Sequence, residues 1–353
     1  MTSGPSGIVR VALLVLAIGA AVAPAPPEVI ERWYSTGVYP FLQRALTTVT
    51  NLVPIALLDL TVAVVAAVAA VRVARAMRRR GVRRALPGAL AALVSFAAVL
   101  YLLFLGVWGL NYRRLPLEKK LDYDSARLTG ARALEFASAA VSSMNLGHAP
   151  AHAQASTSTD SLARDFEQVQ RDLGATTTAV PGVPKRSVLN WYFPRAGIDG
   201  MTNPFFLEVI VNPEVLPYER PFVVAHEWAH LAGYAVESEA NFLAWLTCTR
   251  GDSMARYSGA LAAYQHALAA IPQESRAQLP ALGDGPRADL RAMADRYRRT
   301  TRVVRLAAHE LNDRYLRANR VSEGTASYGA VLRLMLGTTL DREGSPRRRE
   351  TFN

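Results

Sequence analysis

Three long apolar runs, at roughly residues 8–25, 52–73 and 86–110, restrict this chain more than any other feature of its sequence. A helix needs about 20 apolar residues to cross the hydrocarbon core of a bilayer, and each run reaches or approaches that length. Lipid offers no hydrogen-bond partners, so a segment inside it must satisfy its own backbone, and a helix does so. The expectation is a membrane domain over residues 1–114 with three transmembrane helices. A second domain follows over residues 115–340, and a polar tail, DREGSPRRRETFN, whose residues 341–353 read as disordered.

Charge orients the membrane domain. The connection between the second and third runs, VRVARAMRRRGVRRA, crowds Arg72, Arg75, Arg78, Arg79, Arg80, Arg83 and Arg84 together, and such a loop stays cytoplasmic. The third helix then runs outward, with Trp108 and Tyr112 at the interface, and places the rest of the chain on the extracytoplasmic side. The formal net charge of +11 suggests nucleic acid at first sight. Residues 1–114 hold 12 arginines against three acids, Glu28, Glu31 and Asp59, leaving only 28 basic against 26 acidic residues beyond them. The excess belongs to the membrane-flanking segments, which argues against a phosphate-binding groove. The first run also resembles a signal peptide, with Arg10 ahead of it and Ala21-Val22-Ala23 as a small-residue cleavage pattern, although Pro24 opposes cleavage. Either way the carboxy-terminal domain lies outside. Its single cysteine, Cys248, has no intramolecular partner, so packing must hold it together. Asp59, early in the second run, is expensive in lipid and reads as a structural anchor near the outer interface or between helices.

Past the membrane, LDYDSARLTGARALEFASAAVSSM and DSLARDFEQVQRDLG have helical spacing. GHAPAHAQASTSTD, residues 147–160, reads as a flexible linker, in which His148 and His152 would share no common face. FFLEVIV, residues 205–211, reads as a strand. Pro221 then fits the first position of a helix and Gly233 the residue just past its end.

That helix carries AHEWAH. His226 and His230 are four residues apart, roughly 400° of helical rotation, so both imidazoles leave one face a turn apart. Two nitrogens so placed suit tetrahedral zinc, and N/O ligation suits zinc better than other divalent ions. Glu227 lies about 100° round, where its carboxylate can act as a general base without ligating. The flanking Phe222, Val223, Val224, Ala225, Trp228 and Ala229 are apolar, so the helix is buried, and polar groups in a buried helix must have partners. A third ligand is required. In the next helix Glu237 and Asn241 share a face, which favours Glu237 as ligand with Asn241 behind it as a hydrogen-bond partner; Glu239, pointing away from Asn241, is the rival.

HEWAH followed by an ExxxN helix resembles the gluzincin branch of zinc metallopeptidases. Together with WGLNYRRLPL, NPFFLEVIVN and DRYLRANRVSEGTASYG, the block PFVVAHEWAHLAGYAVESEANFLAWL resembles one uncharacterised bacterial family, a domain of unknown function. The resemblance implies a mainly α protein: three transmembrane helices in the bacterial inner membrane, then an α+β zincin-like domain with a small sheet and one Zn2+. The activity implied is hydrolysis of a peptide or protein substrate. Phe206, Glu208 and Ile210 on the strand would pair with extended substrate. Tyr328 or His309 would donate a hydrogen bond to the developing oxyanion. HELND at 309–313 lacks a second His, and the Arg-rich stretch 287–320 reads as a solvated helix face with surface ion pairs, the alternative being contact with anionic headgroups. A non-catalytic zinc-binding membrane sensor or scaffold remains the second reading, since a structural site needs ligands but no base.

Overall fold

The computed structural model describes residues 5–319, 321 and 330–349. It is mainly helical, with one two-stranded sheet. Helix α1 spans Pro5–Val22, α2 Tyr39–Asn51, α3 Leu57–Arg80 and α4 Val82–Val107. Within α3 and α4, the stretches Leu57–Arg79 and Ala85–Val107 are each 23 residues long and apolar enough to cross a membrane. At 1.5 Å per residue each extends about 35 Å, enough for the hydrocarbon core. The first run differs from expectation. Pro24, Pro26 and Pro27 break it, and the chain bends by 108° into the helical segment Pro27–Asn51, so α1 counts as a crossing only together with that segment. Two to three helices therefore suit a bilayer. The arginine-rich connection is helical almost throughout, with only Gly81, at φ 72°, turning α3 into α4.

The second run also starts later than expected, because Leu52–Ala56 leave the helix to dock on the second half of the chain. Ile55 bridges to Arg186, and the Ala56 N–H donates to the Arg186 carbonyl at 2.9 Å. The first N–H groups of α3, on Leu57 and Leu58, donate to the two carboxylate oxygens of Glu208, both at 3.0 Å. Lys185 completes this buried cluster, reaching Glu208 at 3.0 Å and the Thr50 carbonyl at 2.7 Å. Asp59, in the first turn of α3, accepts from the Ser187 hydroxyl and the Val188 N–H, which is the anchoring role its sequence position suggested.

The second half contains α5 (Gly130–His152), α6 (Thr159–Asp172), strands β1 (Gly200–Asn203) and β2 (Glu208–Val211), α7 (Arg220–Leu231), α8 (Glu237–Arg250), α9 (Ser253–Ala270), α10 (Asp284–Arg298), α11 (Arg302–Ala318) and α12 (Val331–Gly337). The strands pair antiparallel, Gly200 opposite Val211 and Asn203 opposite Glu208. Helix α7 lies against the sheet, α8 packs on α7, and α9 packs on both α8 and α5. Trp228, Phe166, Phe242, Leu207 and Leu231 are buried at the centre of the main hydrophobic cluster.

That cluster also contains Tyr39, Phe104, Leu105 and Trp108, so the two halves share one core across the boundary expected at residue 114. Hydrogen bonds make the join explicit. The last carbonyls of a helix have no partner within it. At the end of α7 these are supplied from the membrane half: Tyr39 donates to the Leu231 carbonyl at 2.7 Å, and the Trp108 indole to His230 at 2.9 Å. Arg114 donates to the Gly233 carbonyl at 2.9 Å. Gly233, at φ 83°, allows the approach, since a Cβ there would meet Asn111 and Tyr39 at 3.0 Å.

Three further expectations need correction. Residues 147–152 are not linker but the last turn and a half of α5, which tolerates Pro150 in its interior, so His148 and His152 do share a face. Residues 341–349 are not disordered: Asp122 N–H donates to the Arg347 carbonyl, Arg349 N–H to that of Lys120, and Leu121 bridges to Arg348. The stretch 287–319 is two helices and not one solvated face: Arg296 is half-buried and holds both carboxylate oxygens of Glu219 as well as Asp199 at 2.7 Å. Surface pairs do line the rest of it, Glu310 with Arg314 and Asp313 with Arg317.

Tyr39→Phe leaves the Leu231 carbonyl buried without its donor, and should destabilise the protein by about 1–3 kcal/mol. Thermal melting of the full chain in detergent measures this; an unchanged midpoint would show that the contact contributes nothing.

Candidate metal centre

Helix α7 runs as its sequence dictates, from Arg220 with Pro221 in the first turn to Leu231, and buries Ala225, Trp228, Ala229 and Leu231. His226 and His230 then emerge together, their Nε2 atoms 3.0 Å apart. After the Gly233 turn, α8 opens with Glu237, whose Oε2 lies 3.3 Å from His226 Nε2 and 3.7 Å from His230 Nε2. Ligand atoms about 2.0–2.1 Å from a tetrahedral zinc lie about 3.3 Å from one another, and the three separations bracket that value. Their side chains are 10–15% exposed, so the cluster is nearly closed yet reachable.

The surroundings favour ligation. His230 Nδ1 is 2.8 Å from the Tyr234 carbonyl, which selects the tautomer with a proton on Nδ1 and leaves Nε2 free to bind a cation. This carbonyl takes the supporting role expected of Asn241, which is buried one turn beyond Glu237. His226 Nδ1 is buried without a hydrogen-bond partner among the described residues. Burial pulls His230 down, but the carboxylates of Glu237 and Glu227 and the Tyr234 carbonyl outweigh it and raise it to about 9. Burial likewise pushes Glu237 up, and the two imidazoles more than reverse this, holding it well below the usual carboxylate range. Two imidazoles and an ionised carboxylate drawn together in this way could hold a metal ion.

Glu239, the rival ligand, is elsewhere. Its Oε1 accepts from the Leu117 N–H at 2.7 Å, on the far side of α8. It belongs with a charged group at the membrane junction, where Arg114 grips both oxygens of Glu31 and Lys120 reaches Glu31 at 2.7 Å.

Glu227 is 3% exposed, and burial raises its carboxyl above the ordinary range despite His226, His230 and Thr202. Thr202 of β1 donates to its Oε2 at 2.8 Å. Gly200 is the second contact from β1: a Cβ there would lie 2.5 Å from Glu227 Oε1. The strand beside Glu227 is thus β1, not the expected 205–211. Phe206 lies in the turn between the strands, Glu208 caps α3, and Ile210 is buried with Ala56 and Phe193. Nothing in GMTN has a strand's apolar alternation, which is why it escaped notice; Gly200 was its one signal.

Only one of the two expected oxyanion donors is among the described residues. His309 is exposed on α11, and Tyr328 lies outside the described residues. Tyr315, also on α11, is closer: its ring packs on Tyr112, which packs on Trp108, which meets the His230 ring edge-on at 6.2 Å. Burial, with the charge of Glu237, pushes the Tyr315 hydroxyl up to about 12 although Tyr112 bonds to it, so it stays a protonated donor. His266 on α9 was also missed. Burial, then the charge of His226, holds it at about 4, hence neutral.

Because a protonated His230 cannot ligate, zinc uptake by the chelator-stripped protein should weaken about tenfold for each pH unit below about 9, one proton leaving per ion bound. Calorimetry in buffers of different ionisation enthalpy counts that proton; none released between pH 7 and 8 would contradict the pairing. Gly200→Ala should displace Glu227, lowering the melting temperature while leaving zinc stoichiometry unchanged.

No curated protein and no solved structure matches the chain. One protein family does, described as a protein of unknown function (DUF3810), and the match extends over residues 34–336, through α3 and α4, β1 and β2, and the cluster on α7 and α8. The chain belongs to this DUF3810 family.

Proposed function

We propose that this protein is a membrane-anchored zinc metallopeptidase, with a zincin-like domain that hydrolyses peptide bonds on the extracytoplasmic side of a bacterial inner membrane. The observation that carries the reading is the triangle of His226, His230 and Glu237, with edges of 3.0, 3.3 and 3.7 Å, beside a buried glutamate that ligates nothing. Three protein ligands leave a fourth position open, the mark of catalytic rather than structural zinc. When bound there, zinc supplies Lewis acidity, polarising a carbonyl and making water a nucleophile near neutral pH.

The chain's own groups would do the rest. Glu227, raised by burial, suits taking a proton from the attacking water and passing it to the leaving amine. Thr202 holds that carboxylate in place. Strand β1 has a partner on one edge only among the described residues, whereas β2 pairs with β1 and also with Lys185. An extended peptide therefore has β1 to pair with, next to the base. Tyr315 is the hydrogen-bond donor for the oxyanion. The arginines at the junction of α3 and α4 support a cytoplasmic turn, hence an extracytoplasmic centre with three crossings if α1 and the segment after it count as one.

The second reading, a non-catalytic zinc-binding sensor or scaffold, draws on the burial of Glu227 and its bond to Thr202, which would suit a merely structural carboxylate. The base separates the two. In full-length protein loaded with zinc and offered a broad peptide library, Glu227→Gln should retain the metal and lose cleavage by at least about 10²-fold. Glu237→Ala should lose both. A wild type that holds zinc and cleaves nothing favours the sensor.

A further inference from the structure

We infer that His148, His152 and Asp289 form a second site for a divalent transition-metal ion, built from helices other than those of the HEWAH cluster and independent of any peptidase activity. His152 Nε2 lies 2.9 Å and His148 Nε2 3.6 Å from the same oxygen, Oδ2 of Asp289, and the three ligand atoms are all within 4.8 Å of one another. The two histidines stand a turn apart at the end of α5, ring centroids 4.3 Å apart. Asp289 comes from α10, 137 residues away in sequence from His152.

A plain hydrogen bond explains only half of this arrangement. It would need one histidine, and His152 makes it; at 3.6 Å the His148 nitrogen is too far to share in it. A cation between the rings uses both, since ligand atoms of a tetrahedral ion are about 3.3 Å apart. The carboxylate is already aimed. Tyr257 donates to Oδ2 at 2.6 Å and Tyr218 to the Asp289 backbone carbonyl at 3.1 Å, the kind of support that orients ligating carboxylates. The approach of α10 is close as well: a Cβ on Gly285 would lie 2.4 Å from the His148 ring, so only glycine admits the imidazole there. Side-chain exposure of 26% for His148 and 41% for His152 leaves room for water to complete the coordination. Two imidazoles and a carboxylate suit Zn2+ and its neighbours rather than Mg2+ or Ca2+. An ion there clips α5 to α10.

The test takes the full chain in detergent, strips it with chelator and titrates it with Zn2+ alone, counting bound metal and following thermal melting. Wild type should take up two equivalents, and His152→Ala and His226→Ala one each. Asp289→Asn keeps an oxygen for Tyr257; it should lose one equivalent yet melt like wild type in chelator. In a His226→Ala background zinc should still raise the melting temperature, and adding His152→Ala should abolish that rise. A single wild-type equivalent, lost in His226→Ala but kept in His152→Ala and Asp289→Asn, overturns this site. A single equivalent with the opposite pattern overturns the HEWAH site and leaves this one standing.

Discussion

The end of α7 governs the rest of the molecule. Three carbonyls at that helix terminus find donors in Tyr39, Trp108 and Arg114, all from the membrane half of the chain. An orphaned carbonyl in a buried helix end costs of order 1–3 kcal/mol, so α7 cannot leave Tyr39 or Arg114 without replacing them, while Trp108 adds a second donor to a His230 carbonyl that already accepts from the Gly233 N–H. His230 is one of the three residues so held. The position of one imidazole of the candidate metal cluster is therefore set by side chains from the first part of the chain. The charged group of Glu31, Arg114, Lys120 and Glu239 strengthens the same joint, so Glu239, two positions beyond Glu237, serves this junction instead.

Two acidic residues two positions apart on α8 illustrate how helical geometry divides roles. Glu237 faces α7 and its imidazoles; Glu239, about 200° round, faces Leu117 and the junction. Glu239 is buried and Glu237 partly so, and each is satisfied by different partners. The sheet shows a similar division. Glu208 on β2 is given to a helix terminus, and Thr202 on β1 to Glu227. One hairpin thus braces both a candidate membrane span and a candidate catalytic base.

How far the sequence could be read followed how local each signal is. The spacing of His226 and His230, the glycine after α7 and the shared face of Glu237 and Asn241 depend on helix geometry alone, and the structure has them as the period implies. Apolar runs marked α3 and α4, although Pro54 shortened one of them and the prolines after Val22 bent the first. What could not be read was tertiary. Residues 147–152 look like linker because Pro150 and small residues dominate, yet packing of α5 on α9 keeps them helical. β1 lacks a strand's pattern, and its place beside Glu227 comes from pairing with β2. Arg296 looks like one surface arginine among many; only the arrival of Glu219 and Asp199 beside it makes it a half-buried clamp.

The Glu208 cap on α3 has a mechanical consequence. A helix longer or shorter than its bilayer ordinarily relieves the mismatch by tilting. Here the first two amides of α3 are tied to a buried carboxylate that Lys185 and Asn203 also hold, so its Leu57 end acts as a fixed pivot. Were α3 to span a bilayer, a change in its thickness would be taken up at the arginine-rich end, or be felt as torque on the strands beside Glu227.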